Sequence, residues 1–399
     1  MSSATLDPAR AEAILAALDT SGDLPAAPGA ADHERRRARL TTLLEEAGAD
    51  ALFVEPGATA RYLAGLEWRP SERLFGAVVT RGGEVLVVAP SFERDVLERV
   101  LPSGAALVLW DEHEYGYAEL AIELAAREVG TLLVDPGVRT LLTDRLAPAF
   151  DGDLRSGADV VRRLRAVKDA GELAIMDAAQ GLTKRAIGHV AAHVEPGMTC
   201  AQVAALMHAA QRKLGLENTW DLTLVGPDAA DPHGHTNETE IAAGDLLLCD
   251  TGGTLLGYHS DCTRTWVVGE PKASTIGDYR RAWDTVFAAQ DAALAAFRAG
   301  QPCGGVDRAA RAVIEKAGYG DGYTAFSHRL GHGIGTEIHE PPYCDGGSDV
   351  PLEVGMCFSN EPGIYLAGKF GLRIEDIVQV TADGARTFGP RQRSVEAPF

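Results

Sequence analysis

Two stretches of this chain set acidic side chains into apolar, strand-like sequence, and that conflict constrains the fold more than any other feature. In the first, Leu246 to Cys249 leads into Asp250, and after a glycine-containing segment Asp261 leads into Cys262 to Val268. The pattern predicts a hairpin folded about Gly252 to Gly257, with Asp250 ending one strand and Asp261 starting the next. In the second, Met356 to Glu361 passes through Pro362, Gly363 and Gly368 to Gly371 into Leu372 to Val378, a second hairpin that carries Glu361 and Glu375. Carboxylates brought together in such surroundings are costly unless they share a proton or meet cations. A catalytic or metal-binding purpose is therefore expected of both pairs.

Between the hairpins lies Ser327 to Glu340, a glycine-rich segment with three of the chain's eleven histidines, His328, His332 and His339. His332 stands between Gly331 and Gly333. Four carboxylates and one imidazole can hold two divalent cations, whose charge the carboxylates match. Oxygen-rich coordination with one histidine leans toward Mn²⁺, with Co²⁺, Fe²⁺ and Zn²⁺ open. Two such ions would activate a water and polarise a carbonyl. The likeness of the two hairpins implies an internal pseudo-repeat whose halves face one site.

Before this region the chain mixes strands and helices. A short helical pattern (Ala11, Ile14, Leu15, Leu18) and a Gly, Pro and Ala-rich link predict a peripheral helix and connector. A charged helix over 33–48, a strand at 51–54, a hairpin of 76–80 with 84–89 turning at Arg81 to Gly83, and strands at 106–110 and 131–134 around a helix at 117–129 predict an α/β amino-terminal domain. The boundary falls near Gly157, giving domains of 1–158 and 159–399. Asp169 with Glu172 has capping-box spacing for a helix reaching about His193, and a second amphipathic helix is expected at 200–214. His189 and His193 lie four apart on the first of these, but Val190 stands where a zincin carries its glutamate, so they read as surface or core-edge residues.

Charge and cysteine usage narrow the partners. A net charge of −20 disfavours nucleic acid and anionic membrane surfaces. The six cysteines include no Cys-x-x-Cys pair, which suits a reducing cytoplasm better than a disulfide framework. Asp7, Arg10, Glu12 and Asp19 interrupt any apolar signal core, and no apolar run is long enough to span a bilayer, so a cytoplasmic location is expected.

From about Val161 to Val380 the chain resembles the pita-bread metallopeptidases, the family of methionine aminopeptidase, aminopeptidase P and prolidase, and most of all its Xaa-Pro-cleaving branch. The positions that carry the likeness are Asp250 in Cys-Asp-Thr-Gly-Gly, Asp261 in His-Ser-Asp-Cys-Thr-Arg, His332 in Gly-His-Gly-Ile-Gly, Glu361 in Asn-Glu-Pro-Gly-Ile-Tyr and Glu375 in Leu-Arg-Ile-Glu-Asp. The resemblance implies a small α/β amino-terminal domain before a pita-bread catalytic domain with pseudo-twofold halves. It also implies that Asp261 and Glu375 bridge two ions, Asp250 completes one shell and His332 and Glu361 the other. By the same likeness His233 contacts the reacting amide, with His235 a second claimant, His339 stabilises the tetrahedral oxyanion and Glu361 shuttles a proton. His328 walls the proline pocket, while Tyr365 and Arg373 support the ligands. The substrates implied are proline-containing di- or oligopeptides, and the assembly a homodimer in which the loop Glu67 to Arg73 reaches over a neighbouring site.

One position departs from the pattern. Some prolidases carry an arginine four residues after the histidine matched by His339, where it holds the dipeptide's carboxylate; this chain has Tyr343. Longer Xaa-Pro peptides are thereby left open beside dipeptides, with Arg373, Lys369 or an arginine of a partner subunit as substitutes. Two other readings use the same fold: a creatinase-like, metal-free amidinohydrolase and a catalytically inactive binding protein. The isolated glycines from Gly331 to Gly335 lack the context of a phosphate loop. His259, two before Asp261, is a further candidate neighbour of the site.

Overall fold

The computed structural model describes residues 6–102 and 104–399, which divide into two compact units, Ala27–Arg165 and a second formed by Ala166–Phe399 with the segment up to Ala26. The first unit holds a six-stranded sheet in the order β4-β3-β2-β1-β5-β6, from β1 (Ala51–Val54), β2 (Gly76–Thr80), β3 (Val85–Pro90), β4 (Ala106–Trp110), β5 (Thr131–Val134) and β6 (Asp153–Ser156). β1, β2 and β3 pair antiparallel and the outer strands add in parallel, so β1 is buried along its length and reads as a continuous apolar run. Apolar clusters line both sheet faces, under helices α2 (Ala30–Ala47), α3 (Ala58–Ala64), α4 (Arg94–Val100), α5 (Gly116–Ala126), α6 (Thr140–Leu146) and α7 (Ala158–Ala166).

In the second unit, helix α1 (Pro8–Ala16) was expected as a peripheral element ahead of the first domain. Instead Ile14 and the following Leu18 are buried in a cluster with residues of α8 (Ala170–Ala191) and α9 (Cys200–Lys213). An amphipathic stripe fixes which face a helix buries but not its partner. Asp169 and Glu172 form the expected capping box, each side chain accepting from the other's backbone N–H at 2.9 Å.

After α8 and α9 come β7 (Glu217–Val225), β8 (Leu246–Leu255), β9 (Tyr258–His259) and β10 (Cys262–Val267), an antiparallel sheet with β8 central and β9 on its far end. A second pair of helices, α10 (Ile276–Ala296) and α11 (Cys303–Lys316), precedes a five-stranded sheet in the order β12-β11-β13-β16-β17. Its strands are β11 (Gly331–Gly333), β12 (Glu340–Cys344), β13 (Cys357–Asn360), β16 (Asp376–Thr381) and β17 (Gly384–Thr387). The hairpin of β14 (Gly363–Leu366) and β15 (Phe370–Arg373) projects between β13 and β16. Two helices and then an antiparallel sheet thus occur twice. Among the described residues no helix is long and apolar enough to cross a membrane.

The first acidic hairpin differs from expectation in one respect. Asp250 lies in the middle of β8, opposite Thr263 on β10 and Leu222 on β7, and the turn is the tight Leu256-Gly257 pair, both at positive φ. Gly252 is therefore a strand residue. A Cβ there would stand 2.0 Å from the Ser260 carbonyl oxygen, so glycine serves close approach of two strands.

Candidate functional site

The two sheets deliver their acidic residues to one cavity of about 620 Å³, lined by residues that include Asp250, Asp261, His332, Glu361 and Glu375. Asp250 comes from the centre of β8 and Asp261 from the break between β9 and β10. Asn360 and Asp376 are the last paired residues of β13 and β16, so Glu361 and Glu375 diverge from the open end of that pair. His332 is the middle residue of β11. A Cβ at Gly331 would lie 2.0 Å from the Ser359 carbonyl oxygen and one at Gly333 2.3 Å from that of Glu340. The glycines on either side of His332 let β11 be pinched between β12 and β13.

Ligand atoms of Asp250, Asp261 and Glu375 lie within 4.8 Å of one another, as do those of His332, Glu361 and Glu375 and those of Asp261, His332 and His339. His332 Nε2 is 3.5 Å from Asp261 Oδ2 and 3.4 Å from Glu361 Oε1, while Nδ1 lies 3.1 Å from the Gly333 carbonyl. With Nδ1–H donating to that carbonyl, Nε2 is the nitrogen turned toward the acidic residues, the orientation a ligating imidazole needs. Ser359 Oγ accepts from the His332 backbone N–H and donates to Glu361 Oε1 at 3.0 Å.

The cluster is rich in acceptors and short of donors. Burial pushes Glu361 up to about 7, with Asp261 and Asp250 adding to the effect and His332 and Arg373 opposing it. Burial likewise pushes Asp261 to about 6. Glu375 is raised by burial and by the charges of Asp261, Glu361 and Asp250. Oδ1 of Asp250 and Oδ1 of Asp261 are buried without a hydrogen-bond partner. Buried lone pairs without donors are costly. Divalent cations would satisfy them, so the residues present fit a metal centre of one or two ions.

Behind the carboxylates runs a chain of donors. Arg373 gives Nη2 to Asp250 at 2.5 Å, Nε to Thr263 Oγ1 at 3.1 Å and Nη1 to the Tyr365 hydroxyl at 2.8 Å. Thr263 Oγ1 in turn donates to Glu375 Oε2 at 2.8 Å. The Tyr365 hydroxyl accepts from Arg373 and so donates to His328 Nε2 at 2.7 Å, and His328 Nδ1 donates to the Arg329 carbonyl. Burial and the Arg373 charge hold His328 down to about 3, so it is neutral and both ring nitrogens are engaged. Below this layer Arg264 donates to the Glu375 carbonyl at 2.6 Å and, with Lys184, to Asp376 Oδ1. Burial penalises the Asp376 charge, but the two cations outweigh it and hold the carboxyl below 3.8.

His233 and His339 complete the histidines of the cavity wall, whereas His235 and His259 are not part of it. The His339 ring sits 4.0 Å from that of His332, centroid to centroid. Burial and the nearby His332, Arg329 and His233 hold His339 down to about 4, neutral at pH 7. Trp220, Leu222 and Ile338 supply apolar wall. Tyr343 meets Arg329, whose guanidinium carbon is 4.0 Å from its ring centroid. His189 and His193 lie against each other at a tilt of 47° and do not line the cavity, and His189 Nε2 reaches the Ile14 carbonyl at 2.8 Å. The sequence reading missed Thr263, Arg264, Asp376 and Arg329. The first two and Asp376 adjoin ligand candidates in the sequence, which is the one signal that could have marked them.

Paired helices before an antiparallel sheet, given twice and meeting at one acidic cluster, define the pita-bread class of metallohydrolases. Residues 174–382 match metallopeptidase family M24, and residues 36–167 match the creatinase/prolidase N-terminal domain. The chain belongs to family M24. It is 36% identical over 359 residues to the probable dipeptidase PepE of Mycobacterium bovis, covering 88% of this chain and 93% of that one. To the Xaa-Pro dipeptidase of Lactobacillus delbrueckii subsp. lactis it is 31% identical over 361 residues, 88% of this chain and 95% of the relative. Among solved structures, dipeptidase PepE from Mycobacterium ulcerans superposes with a TM-score of 0.86 at 34% identity, covering 94% of this chain and 100% of the other. Recombinant prolidase from Thermococcus sibiricus gives 0.83 at 30% identity, with 92% and 100% covered.

Proposed function

We propose that this chain hydrolyses the peptide bond between an amino-terminal residue and proline, with two divalent cations, Mn²⁺ foremost, held in its carboxy-terminal domain of residues 159–399. The observation that carries the reading is the acceptor-rich cluster whose buried Asp250 and Asp261 oxygens lack donors. The Xaa-Pro dipeptidase among its relatives supplies the substrate class. In this reading Asp250, Asp261, His332, Glu361 and Glu375 would hold the ions. The bound cations supply Lewis acidity and lower the pKa of water.

The chain's own residues do the rest. Glu361 takes the proton of the attacking water and returns it to the leaving nitrogen. Neutral His339 offers a ring N–H to the developing oxyanion, a contribution of about 3 to 4 kcal/mol where such a donor is preorganised. His233 orients the amide from the neighbouring wall. His328, with both nitrogens occupied, forms an uncharged wall for the proline ring, and Tyr365 and Arg373 hold it there. Metal analysis of purified protein beside assays on Xaa-Pro peptides tests the reading. Two equivalents of metal and proline-specific cleavage are expected, and full activity after exhaustive chelation would sink it.

A further inference from the structure

The two glutamates of the cluster stand where a strand pair splits, and a residue outside the cavity holds the split. β13 and β16 pair as far as Asn360 and Asp376, and beyond that register Glu361 and Glu375 part. Their N–H groups donate in different directions, that of Glu361 to the Leu330 carbonyl at 3.0 Å and that of Glu375 to the Thr263 carbonyl at 3.1 Å. The peptide carbonyls that precede them, of Asn360 and Ile374, lie within reach of one side chain. Gln290, buried in α10, puts Nε2 3.2 Å from the Asn360 oxygen, 3.4 Å from the Ile374 oxygen and 3.2 Å from Asp376 Oδ2. Its own backbone carbonyl accepts from Asn360 Nδ2 at 3.0 Å. One amide thus spans the two peptide units to which the glutamates are attached.

Turned end for end, the Gln290 amide would set an oxygen against two carbonyls and a carboxylate. Arg391 prevents this. Its Nε and Nη2 lie 3.1 and 2.7 Å from Gln290 Oε1, and because a guanidinium only donates, the end that meets it must be oxygen and the end that meets the glutamate strands must be NH2. Arg391 is itself held against α10, with Nη1 on Asp291 at 2.7 Å and its guanidinium carbon 4.8 Å from the Phe287 ring centroid. Neither Gln290 nor Arg391 lines the cavity that holds the cluster. A buried polar network fixes geometry when its members are satisfied, and residues that support metal ligands in this way set metal affinity by about 10- to 100-fold.

We propose that Gln290, oriented by Arg391, is a positioning residue for the metal centre, setting the separation of Glu361 and Glu375 and through it the affinity for divalent cations. The proposal deepens the peptidase reading and rests on it for the use made of the metal. The alternative is that the pair only ties α10 and the segment after β17 to the sheet.

The test titrates Mn²⁺ alone into chelator-treated protein by calorimetry, beside the Tm of the metal-free form and an assay of Xaa-Pro cleavage. Gln290→Met, which keeps the length of the side chain and loses both polar ends, should weaken Mn²⁺ binding about 10- to 100-fold. Arg391→Met, which leaves the amide free to turn, should weaken it at least about threefold, and the double variant should bind no more weakly than Gln290→Met, because Arg391 acts through the amide. Arg391→Lys, still a donor to Oε1, should recover part of the loss. A purely structural tie lowers the metal-free Tm and leaves the Mn²⁺ Kd of the folded protein alone. An unchanged Kd in Gln290→Met, or losses that add in the double variant, therefore overturns the proposal even if Xaa-Pro cleavage stands. Should Gln290→Met fail to fold, Arg391→Met decides: an unchanged Kd overturns the proposal, and a weakened one that Arg391→Lys restores supports it. Gln290-dependent Mn²⁺ binding in a protein that cleaves no Xaa-Pro peptide supports the positioning role and overturns the peptidase reading, whereas wild type that binds no Mn²⁺ overturns both.

Discussion

At His332 the backbone chooses between two ring nitrogens: donation from Nδ1 to the Gly333 carbonyl turns Nε2 toward Asp261 and Glu361. His339, whose ring touches that of His332, lies at the exposed edge of the cluster and is neutral at pH 7. The two histidines should therefore separate by experiment. Asp261→Ala or Glu375→Ala removes an oxygen common to two of the three candidate ligand groups, and both metal content and activity should vanish. His339→Ala should keep its metal while kcat falls about 100- to 1,000-fold, as for loss of an oxyanion donor; metal analysis beside steady-state kinetics distinguishes them, and an unchanged kcat would remove His339 from that role. One layer down, Asp376 is held below its ordinary 3.8 by Arg264 and Lys184 against the cost of burial. A carboxyl with a lowered folded value contributes stability above its unfolded value, and that contribution is lost as pH falls through the folded one. Asp376→Asn leaves two buried cations without their partner and should cost about 3–5 kcal/mol at pH 7. The gap to wild type should narrow below about pH 4, where the carboxyl of the unfolded wild-type chain begins to protonate, and close as pH falls through the lower folded value; urea unfolding at pH 7 and at acid pH measures it.

At the scale of elements, the glycines around His332 are a matter of strand spacing. Gly331→Ala would press a methyl against the Ser359 carbonyl at 2.0 Å, so β11 must move and carry His332 with it. Metal affinity should drop at least about tenfold, the lower end for disturbed support of a ligand. Gly181→Ala is the opposite case: the residue lies exposed inside α8 with nothing within 4 Å of a new Cβ. It should stabilise by about 0.5–1 kcal/mol without touching metal binding, and thermal denaturation with a metal titration checks both. The same distinction explains what sequence could reveal. Acidic residues in apolar, β-branched runs mark Asp250, Asp261, Glu361 and Glu375 because burial of charge is costly and so must have a purpose. Glycine is ambiguous, because it permits both a turn and a close approach. Gly252 therefore reads as the start of a turn although β8 continues to Leu255. Arg329 is invisible for a related reason, since only the fold shows that this arginine lines the cavity with an aromatic ring beneath it.

At the scale of the whole molecule, the candidate ligands divide between the two halves of the catalytic unit. Asp250 and Asp261 come from the sheet that follows α8 and α9, and His332, Glu361 and Glu375 from the one that follows α10 and α11. Protein contacts already join the halves at this seam, where the Glu375 N–H donates to the Thr263 carbonyl and Arg264 clamps the Glu375 backbone. The carboxylates themselves oppose the join, because beyond the effect of burial Asp261, Glu361 and Asp250 raise the pKa of Glu375, and Asp250 raises those of Asp261 and Glu361; cations would convert that repulsion into a bridge. Bound metal should therefore act as a staple, since anything that binds only the folded state stabilises it by about 2.7 kcal/mol at a free concentration of 100 Kd. For a unit of this size that corresponds to a rise in Tm of about 5–10 °C. Calorimetry of metal-loaded and chelated protein should show the shift confined to the transition of the unit that contains Ala166–Phe399, with that of Ala27–Arg165 in place. An equal Tm for both forms would mean that the seam does not depend on metal.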